Sequence, residues 1–413
     1  MVRRPRLSPS IARVLVAAAS VVVTLGAVEW ILRSFFPIRG MIYQIDDRYL
    51  YKHIPGAVKR AGLAGEDSAK VLVRINAAGR RGDESGLATA AYRVVVYGDS
   101  FVAAESTPEP ETYTAQLQPF LSEKLPGTVV LNAGVTGYGV DQESLRMEDE
   151  LPGLKPNLVI VAIYAGNDFG DLLRDKLYRL DEHGQLKRNV PVIDDSLRQA
   201  FHKPAELSSI QFLRAFQTVY EKWKQEGSRS LAGVAPTDPL DQTAVYLEHR
   251  IAEYESYVLG GDNVVRNFLA DEYDADVSVQ PDSPSARYRV LLMARVLERI
   301  RGLADQNGSR LFVLVIPEQC DVRGGCTVSA ARGRYPGYRP SGLTDALESI
   351  ARSERIPYLN LFEAFRQAET RLYHPTDGHW NPSGQQLAAR LSADMILREG
   401  LLRAAAGAKV PEK

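Results

Sequence analysis

The sequence predicts an α/β fold: a three-layer α/β/α sandwich around a parallel sheet. Two observations carry that prediction. From Tyr92 onward, short apolar runs alternate with amphipathic stretches, the pattern of parallel strands joined by helical crossovers. The runs are near-continuous in Val, Ile and Leu, as in strands covered on both faces.

In chain order the strands fall at Arg93–Tyr97, Val129–Asn132, Leu158–Tyr164, Leu311–Ile316 and Tyr358–Leu361. The helices between and after them fall at Glu111–Leu125, Gln142–Leu151, Ser285–Gln306, Ser341–Ser353 and Pro382–Glu399. Between about 171 and 283 the alternation stops, which predicts a mainly helical insertion with helices near Ser208–Gln225 and Gln242–Val258. In the first of these, Phe212, Leu213, Phe216, Val219, Tyr220 and Trp223 recur at helical spacing, the mark of a core-facing stripe. The insertion leaves the chain just after a glycine-bearing loop, so a lid over that loop is the sharper alternative. The main domain is expected over 91–403 and a frayed tail over 404–413.

Ahead of the domain, Arg3, Arg4, Arg6 and Arg13 precede an apolar stretch that runs from Ile11 to Leu32 and ends beside Trp30 and Arg33. Its length approaches the roughly 20 residues a spanning helix needs, and basic flanks stay in the cytoplasm. Residues 1–33 are therefore expected to be a cytoplasmic stub and single-pass anchor, with everything after them outside the cytoplasmic membrane. A cleaved signal peptide would need an Ala-x-Ala site after the apolar run, and no convincing one follows. Residues 34–90 read as a juxtamembrane segment folding against the main domain.

The 413 residues carry a formal net charge of −1, which supplies no field to attract nucleic acid. The six histidines are scattered and no Cys/His cluster has metal-ligand spacing, so neither a metal nor a cofactor is expected. Cys320 and Cys326, the two cysteines, could close a small loop as a disulfide in an oxidising compartment. The composition does not reveal an oligomeric state.

Chemistry concentrates at four places. Tyr373-His374-Pro375-Thr376-Asp377-Gly378-His379-Trp380-Asn381-Pro382 sets a carboxylate two residues before a histidine and then opens a helix. Gly98-Asp99-Ser100 ends the first strand, with a glycine small enough for a sharp turn that exposes the hydroxyl. A serine is a weak nucleophile until a base takes its proton; His379 is the natural base, and Asp377 would hold its tautomer. Asn132-Ala133-Gly134-Val135-Thr136-Gly137 ends the second strand in a glycine-rich loop able to aim N–H groups at an oxyanion. Gly166-Asn167-Asp168 ends the third, where Asn167 can donate its side-chain amide. Asp99 and Asp168 read as braces of their turns, His374 as a loop histidine, and Trp380 as packing or pocket wall.

Those four segments, spread from Tyr92 to Leu401, resemble the four blocks of the SGNH (GDSL-like) hydrolase superfamily. Ser100 matches the first block, Gly137 the second, Asn167 the third, and Asp377 with His379 the last. The resemblance implies an SGNH-hydrolase, flavodoxin-like fold and a triad of Ser100, His379 and Asp377. It also implies an oxyanion hole of Ser100 N–H, Gly137 N–H and Asn167. Three departures stand out: Phe101 where leucine is usual, Ala165 where many members have glycine, and the acid two residues before the histidine rather than three. The last resembles cell-surface members, including polysaccharide O-acetyltransferases. Arg80 and Arg81 fall in Asn76-Ala77-Ala78-Gly79-Arg80-Arg81-Gly82, which resembles an Asn-x-x-Gly-x-Arg-Gly element of membrane-anchored members; scaffold support is the expectation there.

The resulting expectation is a serine esterase acting on an acylated glycan or lipid, with acetyl as the candidate acyl group. The same site could transfer the acyl group to a sugar hydroxyl. A silent binding protein of a polysaccharide system would keep the fold without the chemistry, but Ser100, Asn167 and His379 are all present.

Overall fold

The computed structural model describes residues 9–35, 42–62, 70–201, 239–269, 272–324, 334–375 and 378–402. The chain divides into two compact units, one of Met1–Gly40 with Lys203–Pro236 and one of Met41–His202 with Thr237–Lys413. In the first, the described part is a 27-residue helix, Pro9–Phe35. Leu15, Val16, Val21, Val22, Val23, Leu25 and Ile31 are exposed along it. Among the described residues no helix is long and apolar enough to cross a membrane, so the spanning anchor expected from the sequence is not met there. The expected helix at Ser208–Gln225, with its apolar stripe, and the tail over 404–413 lie outside the described residues.

In the second unit a five-stranded sheet is built from β1 (Tyr92–Gly98), β2 (Thr128–Asn132), β3 (Leu158–Tyr164), β4 (Arg310–Ile316) and β5 (Tyr358–Asn360). The order is β5-β4-β3-β1-β2 and every pairing is parallel. Alternate residues face opposite sides, as the pleat requires. Val95, Tyr97, Val159, Val161, Ile163, Val313 and Val315 join one core, packed on helices Val140–Leu154, Pro284–Gln306 and Gly342–Ser353. Val94, Val96, Ile160, Ala162, Phe312 and Leu314 join a second core under helices Tyr113–Ser122 and Pro382–Arg398. Two dry faces explain why these strands read as unbroken apolar runs rather than alternating ones.

The segment before the sheet forms two antiparallel hairpins, Tyr43–Asp46 with Leu50–His53 and Val58–Gly62 with Lys70–Arg74. Leu50 and Tyr51 enter the first core. Within the insertion the described residues include helix Pro239–Tyr254, but also a hairpin of Tyr178–Leu180 with Leu186–Arg188 and a parallel pair of Val192–Ile193 with Val264–Val265. Strands of two or three residues carry too little period-2 pattern to stand out in a sequence.

The strand order has a functional consequence. β1 lies between β2 and the central β3, and all three are parallel, so the loops leaving them open at one carboxyl edge of the sheet.

Candidate active site

Ser100 is the first residue of a one-turn helix, Ser100–Ala103, that follows β1 directly. Asp99 caps it: its Oδ1 accepts the Phe101 N–H at 2.9 Å. Gly98 permits the turn, because a Cβ there would lie 3.2 Å from Ala162 O and collide with the Val102 side chain. Gly134 at the end of β2 plays the matching part, since a Cβ would stand 2.7 Å from the Val102 backbone carbonyl carbon. The hydroxyl-bearing turn is thus wedged between two strand ends.

His379 arrives from the other end of the chain. Tyr373 and Trp380 pair across an antiparallel bridge, and His374 N–H donates to His379 O at 2.8 Å, closing the loop between them. Asn381 then caps the next helix, accepting the Gly384 N–H at 3.0 Å. The result sets His379 Nε2 2.7 Å from Ser100 Oγ. At that distance Nε2 can accept the hydroxyl proton, provided the ring's own hydrogen sits on Nδ1. Asp377, the residue expected to hold that hydrogen, lies outside the described residues, as does Thr376.

The two further expected donors come from the flanking strands. Gly137, at φ +78°, turns the loop after β2; a Cβ there would lie 2.7 Å from Leu269 Cδ2, 2.9 Å from Tyr51 Oη and 3.0 Å from Phe268 O. Asn167 directly precedes helix Asp168–Asp175 at the end of β3 and is buried. Asp168 Oδ2 accepts the Tyr164 N–H at 2.8 Å and so braces that loop. Burial, and then the Asp99 carboxylate, push the carboxyls of Asp168 and Glu143 well above the usual range.

A cleft of about 140 Å³ opens at this point, lined in part by Ser100, Phe101, Glu105, Thr136, His379 and Trp380. A larger cavity of about 380 Å³ lies elsewhere, beside Arg174, Arg250 and Glu272; in its lining His249 pairs with Glu272 and Ser256 donates to Asp262. Among the described residues no group of His, Cys, Asp or Glu is arranged to hold a metal. Cys320 is disulfide-bonded; Cys326, the other cysteine, lies outside the described residues.

Of three further contributors, sequence reasoning singled out Arg81 for scaffold support and missed Glu105 and Glu318. Arg81 is buried and donates to Ala103 O at 2.6 Å, to Thr107 O at 2.7 Å and to Ala104 O, gripping the far end of the nucleophile turn. Glu105 lines the cleft while accepting from Lys59 and Tyr43 of the N-terminal hairpins. Glu318 is half-buried, takes the Tyr164 hydroxyl, interacts electrostatically with His379, and has its carboxyl raised by desolvation. Arg81 carried a signal, its place in the Asn-x-x-Gly-x-Arg-Gly element; Glu105 and Glu318 are single acids in unpatterned loops.

A profile of the GDSL-like lipase/acylhydrolase family matches residues 96–387, more than half of the chain. The chain belongs to that family. The family makes it an enzyme of ester-bond chemistry. Among curated proteins it is 31% identical over 124 residues to the "Probable alginate O-acetylase AlgJ" of Pseudomonas putida. That match covers 27% of this chain and 29% of the relative, so it spans under a third of the relative's length. Among solved structures it is similar to a lipase/acylhydrolase from Enterococcus faecalis, 12% identical with a TM-score of 0.37, covering 76% of this chain and 98% of that one. It is also similar to an acetyl xylan esterase from Geobacillus stearothermophilus, 11% identical with a TM-score of 0.36, covering 78% and 98% of the two chains.

Proposed function

We propose that this GDSL-like enzyme is a serine esterase that removes short O-acyl groups, acetyl foremost, from a glycan through an acyl-serine intermediate. The observation that carries the reading is the 2.7 Å contact between Ser100 Oγ and His379 Nε2 at the mouth of a small cleft. Its size supports a short acyl group over a fatty one: a cavity of roughly 150 Å³ is filled by a molecule as small as benzene, and this cleft is about 140 Å³.

His379 Nε2 takes the hydroxyl proton as Ser100 Oγ attacks the acyl carbonyl, whose C=O π pair moves onto oxygen. The Ser100 and Gly137 N–H groups and the Asn167 amide stabilise that oxyanion, and Asp377 supports the imidazolium. Collapse breaks the bond to the alcohol oxygen, which leaves with the proton from His379. Water then repeats the sequence on the acyl-serine and releases the carboxylic acid.

A second reading, transfer of the acyl group to a sugar hydroxyl, is favoured by the local similarity to a probable alginate O-acetylase. The two differ only in which nucleophile resolves the acyl-serine. We also propose that the helix Pro9–Phe35 attaches the enzyme to a membrane, with the catalytic unit outside the cytoplasm. Its exposed apolar side chains and the arginines ahead of it support that attachment.

One experiment addresses both points: fluorophosphonate labelling of separated membrane and soluble fractions from cells expressing the full chain. Label in the membrane fraction that disappears in Ser100→Ala is expected. Label that persists in the variant would overturn the nucleophile, and label confined to the soluble fraction would overturn the attachment.

A further inference from the structure

Beside the Ser100–His379 pair the cleft wall carries a carboxylate that the hydrolytic steps leave unused. Glu105 lies five positions after the nucleophile, and its side chain is 12% exposed. Three donors from three parts of the chain converge on it. Lys59 Nζ bonds Oε2 at 2.5 Å, Thr136 Oγ1 donates to Oε1 at 3.0 Å, and the Tyr43 hydroxyl also donates to Oε1. Burial alone would raise its pKa; the Lys59 charge and the three hydrogen bonds outweigh that and hold the carboxylate below its ordinary value.

The count of bonding positions points to a ligand. A carboxylate offers about four lone-pair sites and an ammonium three donors. Among the described residues Oε1 has both of its sites filled, whereas Oε2 has one filled by Lys59. The Lys59–Glu105 pair therefore presents an open acceptor next to open donors. A group that both donates and accepts fits such a pair, and an alcohol hydroxyl is that group. An apolar acyl tail would instead strip water from the ion pair with nothing in return.

We propose that Glu105, held by Lys59, is a hydroxyl-recognition subsite for the alcohol portion of the ester, so that the substrate alcohol is a polyol such as a sugar unit rather than a lipid. Lys59 belongs to the hairpin strand Val58–Gly62, which makes a segment outside the four catalytic blocks part of substrate recognition. This inference rests on the esterase reading for its substrate, but its test does not depend on turnover.

The test is calorimetric binding of an acetylated cello-oligosaccharide to the full chain carrying Ser100→Ala, with and without Glu105→Gln. A hydrogen bond to a charged group is strong enough that its loss should raise Kd about tenfold or more. Lys59→Met, remote from the reacting atoms, should weaken the same ligand, and phenyl acetate turnover measured with Ser100 intact supplies the comparison. The ratio of kcat/KM for the acetylated oligosaccharide to that for phenyl acetate should fall about tenfold in Glu105→Gln. An unchanged Kd, an unchanged ratio, or no binding of the oligosaccharide to Ser100→Ala would overturn the subsite. Tight, Glu105-dependent binding by a chain that hydrolyses neither ester would instead overturn the esterase reading and leave the subsite standing.

Discussion

Replacing Arg81 by alanine tests whether the nucleophile turn is held from behind. Arg81 donates to Ala103 O at 2.6 Å and Thr107 O at 2.7 Å, and also to Ala104 O. Ala104 O keeps a second donor, the Thr107 amide at 2.8 Å. Ala103 O and Thr107 O have no other bonded donor among the described residues. Two buried carbonyls would thus be orphaned at about 1–3 kcal/mol each, a loss of roughly 2–6 kcal/mol. Against a typical domain stability of about 5–15 kcal/mol that is a large fraction. The same carbonyls end the turn that begins at Ser100, so loosening them moves Oγ relative to His379. A misplacement of about 1 Å costs on the order of 100-fold in rate. Denaturant unfolding and steady-state hydrolysis of an aryl acetate are the assays, with kcat expected to fall far more than KM rises. Arg81→Lys, which restores a cation with fewer donors, should fall between the two. Stability within about 0.5 kcal/mol of the parent together with an unchanged kcat would refute the reasoning.

Gly137→Ala should lower kcat by about 10²–10³, the usual cost of one oxyanion donor, because φ is +78° and the new Cβ would meet Leu269 Cδ2 at 2.7 Å and Phe268 O at 3.0 Å; activity within twofold of the parent would remove Gly137 from the hole. The Asp321 carboxyl is pushed up to about 7 from 3.8, first by burial, although Tyr338 and Tyr273 donate to it. An acid raised on folding stabilises the protein below its unfolded pKa and loses that contribution as pH rises through the folded value. Asp321→Asn should therefore flatten the decline in unfolding free energy between about pH 4 and pH 8, by as much as ~4 kcal/mol at about 1.4 kcal/mol per pH unit; parallel pH profiles in parent and variant would refute it.

The sheet was legible because both of its faces are dry: Leu158–Tyr164 is buried at every position and was predicted residue for residue. The helix at Pro382 was legible for a different reason, an Asn-Pro start whose Asn381 caps Gly384. The hairpins of residues 43–74 escaped because they are short, partly exposed and mixed in composition. At the site, the Ser100–His379 pair could be read from motifs, since a nucleophile directly after a strand and a base just before an Asn-capped helix each need a particular residue type. Glu105 and Lys59 could not, because their meeting depends on how a hairpin from residues 58–74 docks beside the cleft. Nothing in the spacing of a lone glutamate and a lone lysine records such a contact.

Phe101, the family position where leucine is usual, acquires a physical reason from its neighbours. Its ring centroid lies 4.5 Å from Tyr164, 5.0 Å from His379 and 5.3 Å from Trp380. These three rings come from the end of β3 and from the C-terminal loop, so one side chain next to the nucleophile touches both segments that must meet it. The edge-on Trp380 contact, at an interplanar angle of 76°, is among the favourable aromatic geometries. A leucine would fill part of that volume without a flat face for the imidazole. Among the described residues the His379 loop is tied at its ends by the Tyr373–Trp380 bridge and the His374 N–H bond, and Gln319 Nε2 donates to His374 O at 3.4 Å. Packing against Phe101 adds an aromatic restraint to those hydrogen bonds. It keeps the imidazole over Ser100 through contacts made by the residue adjacent to the nucleophile, and this places the aromatic substitution within the catalytic geometry.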